Sequence, residues 1–477
     1  MNILFATSEC VPFAASGGLG DVSGSLPHAL GRTKGVECRV VLPLYSDMAP
    51  EYRKKMTLLA EFEVPVAWRQ QYCGVHSAKF GGVTYYFIDN EYYFKRGGLY
   101  GYFDDAERFA FFSRAVLEML SRIDFAPDII HANDWQTALI TVFLNKFGYR
   151  QDAKYYGIKT LFTIHNIQYQ GKYGHDLAKD VIGLPHEDIS VLEYGGCVNF
   201  VKGAIESSDR VSTVSPTYAQ EILDPWFSYG LDPILRNRQN KLLGILNGID
   251  NDLYDPSSDA SIAAPYSAQD TTGKAACKQA LIQHFGLSSE GYDSPIIGIV
   301  SRLVAHKGID LIRHMLEYIL LHDMKVVVLG SGETMYEDCF RDFSSRYPQG
   351  CACEIGFDPR LAHMIYAGSD MFLMPSKSEP CGLSQMISLR YGTLPIVRIT
   401  GGLKDSITDQ GDGKGNGFTF RSYNAHDMLD ACLRAKAVYD TPDDWQKLVT
   451  RALNCDFGWK KTAGQYIDLY KEMNTLW

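Results

Sequence analysis

Ser16–Asp21 (SGGLGD) and Thr400–Asp405 (TGGLKD) are two copies of one pattern near opposite ends of the chain. Each copy reads hydroxyl, paired glycines, leucine, any residue and aspartate, and each follows an apolar run typical of a buried strand. Paired glycines let backbone N–H groups approach a ligand, and a helix beginning there directs its positive dipole end at the same point. The two copies predict two nucleotide-binding-type domains that share one anionic ligand.

Length and charge narrow the class of protein. A chain of 477 residues is too long for one ordinary core, so we expect two or three domains. The hydrophobic content of 46% and the charged content of 21% are usual for a globular enzyme. The net charge of −10 argues against a broad phosphate-binding surface, and therefore against nucleic acid as a partner.

The cysteines and the N-terminus suggest a reduced, cytoplasmic protein. Eleven cysteines are scattered; only Cys351 and Cys353 lie close together, and no further Cys or His pair completes a zinc pattern. The apolar run from Met1 to Thr7 has no basic leader, so we expect no signal peptide. No run reaches the roughly 18 apolar residues that span a bilayer, so we expect no membrane partner.

Short apolar runs alternate with helical patterns, which is typical of parallel sheets covered on both faces. The sequence therefore predicts an α/β fold. Between the two halves, the polar stretch Asp255–Thr272 marks a break. The strand candidates are Asn2–Thr7, Cys38–Pro43, Thr84–Ile88, Asp128–His131, Thr160–His165, Arg210–Val214, Pro295–Val300, Lys325–Gly330, Ala352–Gly356, Met371–Met374 and Leu394–Ile399.

The first glycine pattern leaves other interpretations open. Gly18–Gly24 resembles a dinucleotide fingerprint, although three residues rather than two precede its last glycine. Glu37 lies at about the distance expected of a ribose carboxylate, as in a dehydrogenase. A glycine turn that serves only the close packing of strand and helix would give the same pattern.

Two further segments follow buried strands and carry groups suited to a sugar phosphate. Arg302 and Lys307 leave the carboxyl end of the first strand of the second half, where ligands of open α/β sheets bind. Arg offers a planar fork for phosphate and Lys a compact charge. Glu379, beside Pro380 and Gly382, predicts a rigid shelf of carboxylate and amides for sugar hydroxyls. A solvated loop and a structural turn are the alternatives.

Other strand tips also carry polar residues. His165 and Asp134 follow two strands of the first half, and Gly330 opens a glycine turn suited to a ribose. A lone histidine at a strand end is more often structural, but two such tips in one half favour a site.

Seven phrases, in order, resemble the glycogen/starch synthase family of retaining glycosyltransferases over essentially the full length of the chain. They are Ser16–Asp21, Phe162–Gly171, Thr213–Ala219, Asn247–Asp250, Ser301–Gly308, Glu379–Gln385 and Thr400–Asp405. The resemblance implies a GT-B fold, in which two Rossmann-like, doubly wound domains face each other across a deep cleft. The acceptor-side domain would be residues 1–246 joined by a terminal helix at 459–477, and the donor-side domain residues 247–458.

The resemblance implies transfer of glucose, with retention, from ADP-glucose to the non-reducing 4-hydroxyl of glycogen or a malto-oligosaccharide. Transfer from UDP-glucose and a catalytically weak glucan-binding homologue are the alternatives. No metal or other cofactor is expected, because Arg302 and Lys307 would neutralise the departing diphosphate.

Site residues are carried over position by position. The catalytic residues would be Glu379, His165, Arg302, Lys307 and Asp134. The donor-binding residues would be Ser16, Gly17, Gly18, Asp21, Asn247, Gly330, Phe357, Cys381, Gly382, Leu383, Thr400, Gly401 and Gly402. Within these sets, His165 would bind the 6-hydroxyl of the glucose and Phe357 would stack on the base.

A neutral polymer acceptor favours aromatic platforms over charges, and aromatic residues cluster around Arg96-Gly97-Gly98. Tyr93, Arg96 and Tyr100 are the acceptor-binding candidates. A loop anchored in the first domain's core is the alternative.

The sequence departs from the family pattern in three places. Ala15-Ser16 replaces Lys-Thr before the first glycine pair, which removes a cation expected near the donor. His131–Gln136 reads HANDWQ where HxHDWH is common, and Phe357 replaces a frequent Tyr.

Overall fold

A computed structural model describes residues 1–288 and 294–475. The chain forms two compact units. Unit 1 comprises Met1–Gly248 and the terminal helix Trp459–Thr475, and unit 2 comprises Ile249–Gly458. No helix in the described parts of the chain is long and apolar enough to cross a membrane.

Unit 1 contains twelve of the described strands. They are β1 (Asn2–Ala6), β2 (Glu37–Pro43), β3 (Thr57–Val66), β4 (Arg69–Phe80), β5 (Val83–Asp89), β6 (Ile129–Asn133), β7 (Lys159–Ile164), β8 (Lys172–Tyr173), β9 (Glu193–Tyr194), β10 (Cys197–Asn199), β11 (Arg210–Thr213) and β12 (Leu242–Gly244). Nine of them form one sheet in the order β12-β11-β7-β6-β1-β2-β5-β4-β3, and β8-β10-β9 form a small antiparallel sheet. Only β3, β4 and β5 pair antiparallel in the large sheet.

Unit 2 has a six-stranded, fully parallel sheet among its described residues. Its strands are β13 (Ile296–Val300), β14 (Lys325–Gly330), β15 (Cys351–Ile355), β16 (Met371–Met374), β17 (Leu394–Arg398) and β18 (Phe418–Phe420). The order β15-β14-β13-β16-β17-β18 is the doubly wound arrangement, in which the strand order reverses beside the first strand. In unit 1, β5-β2-β1-β6-β7-β11 repeats this order.

Helices cover both sheets. They are α1 (Gly18–Gly31), α2 (Pro50–Arg53), α3 (Glu91–Phe94), α4 (Asp105–Met119), α5 (Leu139–Lys146), α6 (Ala153–Tyr156), α7 (Phe200–Ser207), α8 (Pro216–Glu221), α9 (Asp232–Asn237), α10 (Thr272–Phe285), α11 (Ile309–Leu321), α12 (Thr334–Arg346), α13 (Pro359–Gly368), α14 (Ser384–Arg390), α15 (Gly401–Ser406), α16 (Ala425–Tyr439), α17 (Pro442–Leu453) and α18 (Trp459–Thr475). Short 3₁₀ turns lie at Tyr149–Gln151, His186–Val191, Ala305–Lys307 and Gln410–Asp412, and one π turn at Ala178–Ile182.

Each unit has its own core. In unit 1 the last helix, α18, buries Trp459, Tyr466 and Tyr470 in the cluster that contains Ile3 and Phe5 of β1. The apolar face of α18 thus packs on the first helix and sheet of the chain. In unit 2 the cluster includes Ile296, Val327, Leu281 and Ile365 and joins the sheet to α10 and α13.

All eleven predicted strands are present, within two residues of the predicted bounds. The hairpin β3–β4 was not predicted. Its strands pair from Thr57↔Ser77 to Val66↔Arg69, so that Ala67 and Trp68 form a two-residue turn.

Candidate active site

The polar segments of unit 2 converge where the strand order reverses. β13 and β16 are neighbours in the sheet, although two strands separate them in sequence. Ligands of doubly wound sheets bind outside the carboxyl ends of the strands at such a reversal. The loops that leave these two ends carry Lys307 and Glu379.

Lys307 and Glu379 form an ion pair. Lys307 Nζ donates to Glu379 Oε2 at 2.6 Å, and Ser376 Oγ donates to the same oxygen at 3.0 Å. Glu379 is 5% exposed. The structure therefore brings together a cation and a carboxylate that are 72 residues apart in the sequence.

The backbone holds the two loops against each other. Gly308 has φ +78°, and a Cβ there would lie 2.2 Å from the carbonyl oxygen of Pro375. The amide of Lys377 donates to the carbonyl of His306 at 2.9 Å. Only glycine permits this approach, so the position of Lys307 depends on its neighbour at 308.

The segment after Glu379 presents backbone amides. The N–H groups of Gly382 and Leu383 donate to no acceptor among the described residues, and α14 begins at Ser384. Gln385 Nε2 holds the carbonyls of Cys381 and Gly382 at 3.1 and 2.9 Å. The amide ends of these peptides thus remain available to a hydroxyl or an anion, as predicted for a shelf.

The second glycine pair packs against the backbone of this shelf, and its contact with the ligand stays a prediction. Thr400, Gly401 and Gly402 are buried. A Cβ on Gly401 would lie 1.9 Å from Glu379 O, and the amide of Gly402 donates to the carbonyls of Glu379 and Pro380, both at 3.2 Å. Both glycines thus allow the two segments to pack closely.

The other predicted residues of unit 2 differ in exposure. The Arg302 guanidinium is exposed and bonds to no acceptor in the described part of the chain. Burial, together with the charges of Lys307 and Arg302, lowers the pKa of His306, which lies between them in sequence. Phe357 follows β15 and is 90% exposed, so its ring faces are open. Gly330 is buried, and a Cβ there would lie 1.9 Å from Ser301 O, so glycine permits the close approach of the 301–308 loop.

In unit 1 the amides before α1 are occupied by the chain's own carboxylate. Glu9 accepts from the amides of Ser16 and Gly17 at 2.6 and 3.1 Å, and from Ser16 Oγ at 2.8 Å. The two amides bond to Glu9 Oε2, and Tyr100 OH donates to Glu9 Oε1, the oxygen that Ser16 Oγ also contacts, at 2.8 Å. The predicted phosphate contact of Gly17 is thus already filled by Glu9, whereas the amide of Gly18 bonds to no acceptor in the described residues.

Sequence reasoning missed Glu9. The signal was present: Glu9 follows a buried strand, as do the other site candidates, and β1 is the central strand of its unit.

Asp134 and His165 lie at the ends of β6 and β7 and contact each other through the backbone. Asp134 Oδ1 accepts from the amide of His165 at 2.7 Å, and Asp134 itself has φ +58°. Burial, with a smaller contribution from the Glu9 charge, raises the pKa of Asp134 to about 7. Burial lowers the pKa of His165 to about 3, so its ring is neutral at ordinary pH.

Hydrogen bonds also fix the tautomer of His165. Asn133 Nδ2 donates to the carbonyls of Ala6 and His131, which turns its Oδ1 toward His165 Nε2 at 2.9 Å. Nε2 therefore carries the proton, and Nδ1 is a hydrogen-bond acceptor. This suits a sugar hydroxyl donor.

Asp21 and Asn247 complete the predicted set of unit 1. Asp21 keeps an exposed surface, but burial of its carboxyl and the Glu9 charge raise its pKa to about 6. Asn247 is 5% exposed, and its Oδ1 has no partner among the described residues. A buried amide oxygen without a partner favours a ligand at this position.

The three acceptor candidates differ in burial and in their hydrogen-bond partners. Tyr93 is fully buried and donates to Glu107, so its ring cannot support a glucan as predicted. The hydroxyl of Tyr100 instead donates a hydrogen bond to Glu9. Arg96 pairs with both oxygens of Asp104, at 2.5 and 2.7 Å, and lies over the ring of Tyr102. The open rings of this segment belong to Tyr92 and Phe103, at 65% and 97% exposure.

No group of three or more His, Cys, Asp or Glu side chains arranged to hold a metal ion occurs in the described residues. The eleven cysteines are free thiols.

The comparisons with known proteins agree with this architecture. Residues 2–237 match the family described as Starch synthase catalytic domain, and residues 288–448 match Glycosyl transferases group 1. Two doubly wound units with these matches define a retaining glycosyltransferase of the GT-B fold. The dehydrogenase interpretation of Gly18–Gly24 is therefore wrong.

Curated relatives identify the family. The chain is 49% identical to the glycogen synthase of Geobacillus thermodenitrificans, over 99% of this chain and 98% of that protein. It is 50% identical to the glycogen synthase of Desulforamulus reducens, over 99% of each. The chain belongs to the glycogen/starch synthase family.

A solved structure shows the same fold. The catalytic domain of Starch Synthase IV from Arabidopsis thaliana, bound to ADP and acarbose, superposes with a TM-score of 0.90 at 35% identity, covering 99% of both chains. Sucrose-phosphate synthase from Thermosynechococcus elongatus, at 16% identity and a TM-score of 0.61, shares the fold alone.

Proposed function

We propose that the chain transfers glucose from ADP-glucose to the non-reducing 4-hydroxyl of an α-1,4-glucan, with retention at the anomeric carbon. The observation that carries this proposal is the ion pair between Lys307 and Glu379 beside the open amides of Gly382 and Leu383. Relatives named glycogen synthase and a starch synthase bound to ADP support it.

In this proposal unit 2 holds the donor. Lys307 leaves Glu379 for the diphosphate, and Arg302, which has no competing acceptor among the described residues, joins it there. Glu379 is then free to accept from the glucose hydroxyls, which also receive the Gly382 and Leu383 amides. The exposed ring of Phe357 stacks on the adenine.

The bond from the anomeric carbon to the diphosphate oxygen breaks as the acceptor 4-oxygen bonds to the same carbon. The acceptor proton passes to the departing diphosphate, so no separate base is needed. Catalysis then consists of positioning and of stabilising the charge on the leaving group. We propose that these two cations do this without a metal ion.

Unit 1 supplies the groups with perturbed protonation. His165 is neutral and offers Nδ1 to the 6-hydroxyl of the glucose, and Asp134 holds the backbone that positions it. Gly18, Asp21 and Asn247 retain their proposed contacts with the substrate, whereas Ser16, like Gly17, is bound by Glu9. Glucan lies against the exposed rings of Tyr92 and Phe103.

Release of ADP and of UDP, measured in parallel from the two nucleotide sugars with and without glycogen, tests the proposal. We expect ADP release that depends on glycogen and continues in the presence of EDTA. UDP release of equal or greater efficiency would overturn the donor assignment, and no release from either donor would overturn the activity.

A further inference from the structure

Trp68 is an exposed aromatic side chain to which the proposed function gives no role. It lies in the two-residue turn between β3 and β4, and 74% of its surface is exposed. A large aromatic ring usually stabilises a protein by being buried, with its N–H group hydrogen-bonded. Its ring on this hairpin turn is therefore accessible to a ligand from outside.

The indole is held in one orientation before any ligand binds. Its Nε1 donates to Asp180 Oδ1 at 2.9 Å. The guanidinium of Arg69 lies 4.4 Å from the ring centroid and bonds to the same aspartate at 3.1 Å. One ring face is thus covered by a cation and the other is left to solvent. A ring fixed in this way loses little conformational freedom on binding.

The turn that presents Trp68 is itself constrained. Ala67 has φ +51°, a conformation that favours glycine. Its Cα packs against Gly183, where an added Cβ would lie 3.0 Å away. Gly183 directly follows the π turn Ala178–Ile182, which carries Asp180. One segment therefore both supports the turn and fixes the ring.

The surroundings connect Trp68 with the aromatic segment already proposed for the acceptor. Arg69 Nε lies 3.8 Å from Glu107 Oε1, and Tyr93 OH donates to that oxygen at 2.5 Å. The ring of Tyr93 in turn lies 5.0 Å from that of Tyr92. A continuous chain of contacts within unit 1 thus joins the two exposed rings.

We infer that Trp68 is a further binding platform for α-glucan, which engages sugar units of the polymer away from the reacting end. One pyranose ring packs its C–H face on the open face of the indole, and its hydroxyls bond to Asp180 and Arg69. This inference rests on the proposed function, because it deepens the acceptor assignment.

The chemistry around the ring selects a neutral carbohydrate over a protein. Arg69 is paired with the carboxylates of Glu107 and Asp180, so its charge would not attract an ionic partner to this surface. A stable protein interface needs about 800 Å² on each side. The exposed Leu58 and Leu59 cannot extend the surface of Trp68, because they lie at the other end of β3, about 25 Å along the strand.

Native gel electrophoresis through glycogen tests this platform without requiring catalysis. We expect Trp68→Ala to weaken the apparent affinity for glycogen by about fivefold or more. Trp68→Phe keeps an aromatic ring face, so its apparent affinity for glycogen should remain within about twofold of that of the unmodified chain. Trp226→Ala, at a tryptophan of the same unit that is 72% exposed, is the matched control and should leave the affinity unchanged. Thermal unfolding of each variant checks that it folds.

The outcomes separate this inference from the proposed function. If the unmodified chain releases ADP with glycogen and Trp68→Ala binds glycogen as tightly, the platform alone is wrong. It is also wrong if Trp68→Phe loses as much affinity as Trp68→Ala, or if Trp226→Ala does. If the unmodified chain neither binds glycogen nor transfers to maltotriose, the proposed function is wrong and the platform with it.

Discussion

Lys307 and Glu379 neutralise each other in the structure, and this has a consequence for substrate binding. A buried carboxylate without a partner is unfavourable, so the lysine compensates the charge of Glu379 and holds its side chain in place. A diphosphate that attracts Lys307 frees Glu379 at the moment when glucose hydroxyls can replace the lysine. The pair thus couples recognition of the phosphate to recognition of the sugar.

Removing the lysine should therefore impair the reaction strongly. We expect Lys307→Ala to lower kcat/KM by about a hundredfold or more, because one stabiliser of leaving-group charge is typically worth about 3 kcal/mol. Steady-state ADP release measures the effect. Lys447→Ala, which removes an exposed lysine paired with Asp444 in the same unit, is the control and should change the rate less than about twofold. A loss below threefold in Lys307→Ala would remove this residue from the site.

Asp134 gives a prediction about pH and stability. Burial raises its pKa in the folded chain from the ordinary value of 3.8 to about 7, so the folded state binds the proton more tightly. Stability from this group is therefore present at low pH and lost as the pH rises from about 4 to 7. Asn cannot ionise and keeps an oxygen for the His165 amide. We expect Asp134→Asn to be up to about 4 kcal/mol more stable than the unmodified chain at pH 8, with no gain at pH 4.

Chemical denaturation at the two pH values checks this, with Asp443→Asn as an exposed control. An equal effect of Asp134→Asn at both pH values would show that ionisation of the Asp134 carboxyl does not destabilise the folded chain.

At the scale of elements, the loops after the strands decide the site, and Gly308 is the contact that aligns two of them. We expect Gly308→Ala to destabilise the chain by at least about 3 kcal/mol and to lower activity, because its Cβ would meet the Pro375 carbonyl. Gly35→Ala is a matched control: its φ is +81°, but its Cβ would meet nothing within 4 Å, so the loss should be about 1 kcal/mol. Equal losses, measured by chemical denaturation, would mean that backbone conformation alone matters at 308.

The same elements show what sequence could predict. Buried parallel strands are continuous apolar runs, so β13, β14 and β16 were predicted within a residue. The hairpin β3–β4 was not predicted, because β3 carries Glu61 and Glu63 on its exposed face and because its turn lacks the Asn-Gly or Asp-Gly signal.

Candidate site residues were found from sequence where they lie in loops that leave buried strands, as Lys307, Glu379 and His165 do. Glu9 was not predicted, because its contacts depend on the chain folding back on itself. Val11 N donates to Gly20 O, which brings the Glu9 carboxylate close to the first glycine pair. The burial of Tyr93 likewise depends on α4, whose packing no local pattern encodes.

At the scale of the whole molecule, the chain leaves unit 1, completes unit 2 and returns to unit 1 as α18. Tyr470 of this helix is fully buried, and His131 Nδ1 lies 2.8 Å from its hydroxyl. His131 Nε2 in turn lies 2.6 Å from Thr163 Oγ1 on β7. A chain of hydrogen bonds therefore joins α18 to the strands β6 and β7 of unit 1.

We expect Tyr470→Ala to destabilise unit 1 by about 3–5 kcal/mol, since it removes a buried aromatic ring and leaves a buried histidine nitrogen without a partner. Tyr470→Phe should lose only about 1–2 kcal/mol. Hydrogen exchange of β1 and β6 reports the change, and Lys471→Ala, on the exposed side of the same helix, should leave it unaltered. Protection of β1 unchanged in Tyr470→Ala would show that α18 is dispensable.

The position of α18 also bears on biosynthesis. Domains generally fold in order as they leave the ribosome, but here the N-terminal sheet lacks part of its core until α18 has been translated. The sheet made first must therefore wait for this helix, while the domain encoded between them can finish earlier. A ribosome that stalls, or a premature stop codon, before the codons of α18 would thus yield a polypeptide whose earlier-made unit is the incomplete one.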